Sequence, residues 1–189
     1  MWKWVLVSLF FGHGALAQDL VDLEALLAQH ADEVVVVTDA EGRSERRLVL
    51  DNGQRITCDE QRCWGYDPEG ATGCLWMLVV ELRAYADICE VPLGTQREVL
   101  MSTYTRLAAH VGENAIPMRS PEEMGGFYQQ RLQIERKRSK GPLGLSCDEA
   151  RRPDSDVMRM MKGFLDPRNV EDLTSYLAKP RLPLTNPCL

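Results

Sequence analysis

The stretch LWMLVVELRAYADI, residues 75–88, is the most apolar run downstream of the amino terminus, and the fold is read outward from it. Trp76, Met77, Leu78, Val79, Val80 and Leu82 are nearly continuous, and Tyr85 and Ile88 follow. The run reads as a central buried helix, with the β-branched pair Val79-Val80 keeping a buried strand as the alternative. Glu81 and Arg83 are two of the charges inside it, and they mark a wet face of that helix.

Downstream, Thr95 and Glu98 have the spacing of a capping box, which starts a helix that should end near Val111 with Gly112 as its stop. Ser120-Pro121-Glu122-Glu123 repeats the capping logic and opens a helix reaching about Ser139. Two shorter helices are expected over residues 155–164 and 167–178, the second capped by Asp166. The tail from Lys179 holds Pro180, Pro183 and Pro187 and is expected to be extended. Upstream, Leu20, Leu23, Leu26 and Leu27 recur at helical spacing within residues 19–30. A four-valine run then falls within residues 33–38, and short strands are expected at 47–50 and 55–57 around the turn Asp51-Asn52-Gly53. Residues 58–73 have no period and read as a loop or a short irregular hairpin. The expected class is therefore α+β and mostly helical: a short helix, a small antiparallel sheet, then a disulfide-stapled bundle of about five helices.

The amino terminus reads as a cleavable export signal. Lys3 supplies the positive region, Val5 to Phe11 a short apolar core, and Ala15-Leu16-Ala17 the small-residue cleavage site. Cleavage after Ala17 leaves a chain from Gln18 that is expected to form a single domain. The apolar stretch falls short of the roughly 20 residues that cross a bilayer, and no later segment is long and apolar enough to do so. The compartment implied is periplasmic or secreted. Arginine outnumbers lysine by 17 to 5, a composition that points to a GC-rich bacterial genome.

Export makes the six cysteines, Cys58, Cys63, Cys74, Cys89, Cys147 and Cys188, a disulfide framework. If residues 74–89 form one helix, Cys74 and Cys89 lie about 22 Å apart, and a disulfide tolerates about 7 Å, so these two do not pair. A local Cys58–Cys63 bridge leaves the other four to tie the central helix to the carboxy-terminal region. No CxxC pair is present, and no zinc spacing, so no metal site is expected. The acidic residues Asp59, Glu60, Asp67 and Glu69 lack a calcium-loop pattern and read as a solvated loop.

The whole chain carries 22 basic and 28 acidic side chains, which argues against nonspecific nucleic-acid binding. Charge is uneven: residues 18–92 hold six basic and sixteen acidic side chains, whereas residues 93–189 hold fifteen and twelve. No HExxH, GxSxG, P-loop or Rossmann glycine pattern occurs, so no cofactor is expected. Two side chains are catalytic candidates, His110 as a base and Glu81 as an acid whose burial would suit proton donation. The preferred function is a noncatalytic exported protein that binds a protein or cell-envelope partner. Its candidate contact residues are Tyr128, Arg131, Arg136, Lys137, Arg138 and Lys140. The alternative is an envelope hydrolase using paired carboxylates, of which Glu81 would be one.

Overall fold

The computed structural model describes residues 20–137 and 146–186. Cys188, Arg138, Lys140, the Lys137 side chain and residues 1–17, for which the sequence predicts an export signal, lie outside the described residues. Helix accounts for 53% of the described residues, and the fold is α+β and mostly helical, as the sequence predicts. The elements run α1 (Leu23–Gln29), β1 (Val35–Thr38), β2 (Ser44–Val49), β3 (Arg55–Cys58), β4 (Cys63–Tyr66), α2 (Thr72–Ile88), α3 (Gln96–Glu113), α4 (Pro121–Lys137), α5 (Cys147–Arg151), α6 (Asp156–Phe164) and α7 (Pro167–Leu177).

The chain divides into two compact units. Among the described residues the first gathers 20–74, Asn114–Pro117 and 181–186. Its four strands form an antiparallel meander in the order β1-β2-β3-β4. Leu50 N donates to Gln54 O at 2.9 Å and Gly53 N to Leu50 O at 2.8 Å, closing the β2–β3 turn. Gly53 sits there at φ +81°, where a side chain would be strained. Leu48, Ile56 and Gly65 stand opposite one another in the register and are buried, so one face of the sheet is core. Leu26 and Leu27 of α1 are buried in this unit as well.

Three expectations change in this unit. Helix α1 starts at Leu23 rather than near residue 19, because Asp22 caps it and the Leu20 carbonyl instead accepts a hydrogen bond from Ile116 N at 2.9 Å. Residues 63–66 form a regular fourth strand, and the Cys58–Cys63 disulfide joins directly opposed residues of β3 and β4. Asp67 is 1% exposed and takes both an Arg181 guanidinium contact and a 2.8 Å bond from Gln54 Nε2, so this part of the acidic loop is not solvated. Gln54 also receives the Leu182 amide at 3.0 Å and donates to the Leu182 carbonyl at 2.9 Å. The segment from Arg181 is thereby held by buried polar bonds as well as by the buried Leu184.

Among the described residues the second unit holds 75–113, 118–137 and 146–180. Val79, Leu82, Tyr85, Leu107, Val111 and Met161 are buried in it. The central run is helical, so the strand alternative falls. Ser120 and Glu123 make the expected capping box: Glu123 N donates to Ser120 Oγ at 3.2 Å and Ser120 N to Glu123 Oε2 at 2.7 Å. Gly112 is not a stop, since α3 continues to Glu113. A Cβ there would lie 2.8 Å from the Arg119 carbonyl oxygen, so glycine permits a close approach of backbone to backbone. Helix α5 was not anticipated, although Ser146 and Glu149 form its capping box. Cys89 bonds to Cys147, which excludes a Cys74–Cys89 pair as the helix geometry required.

Candidate functional site

Strand alternation in the first unit sorts side chains onto two faces. Opposite the buried row lies an outer face on which Arg47, Thr57 and Trp64 form one row and Val49, Arg55 and Tyr66 the next. Val35 extends the first row onto β1, opposite Arg47. Val35 and Val49 are each 60% exposed, whereas Trp64 and Tyr66 are half-buried.

Two of the arginines on this surface rest on rings. Arg55 lies with Cζ 4.5 Å from the Tyr66 ring centre, and Arg62, from the β3–β4 turn, lies 5.5 Å from that of Trp64. The aromatic faces attract the cations and limit their rotamers, which reduces the ordering cost when an anionic group arrives. Arg47 is different, because Glu45 accepts from it at 2.6 Å. Neither Arg55 nor Arg62 has a carboxylate within 4 Å among the described residues. The turn is stiffened by Asp59, whose carboxylate accepts the Gln61 and Arg62 amides at 2.7 and 2.8 Å and is held below the usual carboxylate range by those bonds. The outer face therefore presents two preorganised guanidinium groups, one of them opposite the exposed Val49. The sequence reading passed over Trp64, Tyr66, Arg55 and Arg62. The alternation of Arg55-Ile56-Thr57-Cys58 and the short Cys63-to-Tyr66 segment was the available signal.

In the second unit the predicted contact residues whose side chains are described, Tyr128, Arg131 and Arg136, do not share one exposed surface. Tyr128 is 2% exposed and donates to the Asp87 carboxylate, and burial, followed by that bond, pushes its hydroxyl well above the ordinary tyrosine range. Arg83 lies with Cζ 3.8 Å from the Tyr128 ring centre and 4.1 Å from that of Tyr104. Trp76 meets Tyr104 at 5.1 Å between centroids. Arg131 is buried, and its Nη2 contacts Glu81 and, at 2.6 Å, Glu135. Arg136 is exposed. Glu81, at 6% exposure, does not lie on a wet face. The reason is tertiary: α4 carries Arg131 and Glu135 against that side of α2.

His110 is also buried, and burial lowers its imidazole pKa below the ordinary value. A hydrogen bond with the Leu177 backbone and the Glu113 charge oppose the shift. Among the described residues, Glu24, Cys58 and Cys63 bring ligand-type atoms within 4.8 Å of one another. The two sulfurs are bonded to each other and offer no thiolate, so this trio is a structural corner rather than a metal centre in the oxidised protein. No family model, no curated protein and no solved structure matches the chain.

Proposed function

We infer that this chain is an exported, noncatalytic binding protein that meets a protein or cell-envelope partner through the sheet of its first unit. The observation that carries this reading is the pair of ring-backed guanidinium groups, Arg55 and Arg62, on a sheet that also exposes Val35 and Val49, the latter directly opposite Arg55. An exposed apolar surface edged by arginine and aromatic side chains has the composition of an interface centre. The disulfides support export, because such bonds persist in oxidising compartments.

The hydrolase alternative has one observation in its favour: Glu81 does meet a second carboxylate, Glu135, on a shared guanidinium nitrogen. Both carboxylates are more than nine-tenths buried, which gives water and a glycan no route to them. The binding reading therefore has the better support.

The test immobilises the oxidised protein from Gln18 and exposes it to envelope extract, beside a variant carrying Arg55→Glu and Arg62→Glu. Retention of a component by the parent and its loss by the variant is the expected result. Equal retention by both proteins, or none by either, would remove the reading. Amino-terminal sequencing of protein recovered from the envelope fraction should begin at Gln18.

A further inference from the structure

We propose that the outer edge of β1 is a strand-addition site for an extended segment of a partner protein, apolar and β-branched at its centre and flanked by Lys or Arg. This rests on the binding reading above and names the chemistry of the partner. The backbone provides the first argument. Asp39 N donates to Arg43 O at 3.0 Å, which makes residues 39 and 43 a hydrogen-bonded pair. Antiparallel pairs alternate, so Val36 opposite Arg46 and Thr38 opposite Ser44 are non-bonded pairs whose N–H and C=O groups turn away from β2. The β2–β3 turn gives the same parity independently. Starting from the Leu50–Gln54 bond, residues 48/56 and 46/58 are bonded pairs, so the backbone groups of Arg46 face β3 and not Val36. Among the described residues no strand takes up the outward groups of Val36 and Thr38.

The side chains provide the second argument. Val35 and Val36 project to opposite faces and are 60% and 64% exposed, so a strand added here would find apolar surface on both sides. Exposed edges are usually blunted by lysine, proline or a bulge, and β1, with valine at residues 35–37, has none of these. Only its length of four residues limits it. Backbone hydrogen bonds would supply affinity, and the alternating valines would select β-branched or apolar side chains.

Charge decides the occupant. Residues 32–43 contain Asp32, Glu33, Asp39 and Glu41 against a single arginine, Arg43, which pairs with Asp39 at 2.7 Å and Glu41 at 3.4 Å. An incoming strand with cationic ends complements this border. A second copy of the chain does not. Two-fold antiparallel pairing that joins the outward-facing residues sets Val36 opposite Val36, Val36 opposite Thr38, or Thr38 opposite Thr38, and the last leaves the valines of β1 across from the turn residues 39–41. The first register places Glu33 across from Asp39, and the second places it across from Glu41, like charges in both cases.

The test titrates the oxidised protein with the synthetic peptide KKVTVIVTKK and with its acid-flanked counterpart EEVTVIVTEE. The lysine-flanked peptide is expected to bind at least about tenfold more tightly, and to slow amide exchange at Val36 and Thr38 by about tenfold or more. Val36→Pro deletes an outward N–H without removing a β1–β2 bond, and should weaken binding by about tenfold. If that variant fails to fold by thermal melting, the exchange measurement on the parent protein decides alone. Unchanged exchange at Val36 and Thr38 would overturn the proposal. So would full peptide binding by a folded Val36→Pro variant, peptide binding lost on Arg55→Glu but kept in Val36→Pro, or a dimer in ultracentrifugation that Val36→Pro abolishes. Envelope capture lost on Arg55→Glu/Arg62→Glu but kept by Val36→Pro would sink strand addition alone and leave the binding function standing.

Discussion

At the residue scale, the buried ions are the largest departures from what sequence pattern predicts. Arg181 and Asp67 are 2% and 1% exposed, and their bond is inside the first unit, where losing one partner strands a charge. Arg181→Met is therefore expected to destabilise by about 3–5 kcal/mol in urea unfolding. Arg46→Ala, which breaks an exposed pair with Glu24, should cost no more than about 1 kcal/mol. Equal losses for the two would show that the Arg181 bond is not functioning as a buried pair. His110 gives a prediction in pH. Burial holds its folded pKa below the ordinary value, so the unfolded chain takes up a proton first as pH falls. Stability from this residue is present above about pH 6.5 and declines as pH drops from there towards the folded pKa. A His110→Gln variant should lose that part of the slope of melting temperature between about pH 6.5 and 5, and an unchanged slope would remove the assignment.

At the element scale, local signals were legible and tertiary ones were not. The capping at Ser120 and at Asp166, the Asp51-Asn52-Gly53 turn and the long apolar run depend on neighbours a few residues away, and each is where the sequence places it. Glu81 and Arg83 were misread because what covers them comes from α3 and α4, tens of residues downstream. Strand β4 was too short to show a convincing period. The outer sheet face could be found only once the register was known, since arginine, tryptophan and tyrosine in alternation do not reveal which side is core. Gly112 separates the two kinds of signal. Inside a helix, Gly→Ala ordinarily stabilises by up to about 1 kcal/mol, and Gly125→Ala in α4, with nothing within 4 Å of the new Cβ, should do so. Gly112→Ala should instead lower the melting temperature, because the new Cβ would meet the Arg119 carbonyl at 2.8 Å and Met124 Cγ at 3.1 Å. Stabilisation by both substitutions would show that the backbone at Gly112 yields freely.

At the scale of the whole molecule, the question is what the staples contribute. A chain of 189 residues with two compact units has enough buried apolar surface that disulfides are not needed to replace a core. Their effect is then mainly on the unfolded chain, and it depends on loop length. Cys89–Cys147 closes a separation of 58 residues, whereas Cys58–Cys63 closes one of 5. Loop-closure entropy assigns about 4 kcal/mol to the first and about 2 kcal/mol to the second. The double replacement Cys89→Ala/Cys147→Ala should therefore cost roughly twice as much in urea unfolding as Cys58→Ala/Cys63→Ala. The local bridge has a separate role, because it joins opposed residues at the end of the β3–β4 hairpin that carries Trp64, Tyr66 and Arg55. Its removal should broaden the amide resonances of residues 55–66 while leaving those of α4 unchanged. If Cys58→Ala/Cys63→Ala proved the more destabilising pair, the entropy of the unfolded loops would not govern the ranking, and the short bridge would have to be holding the sheet together by enforcing its register.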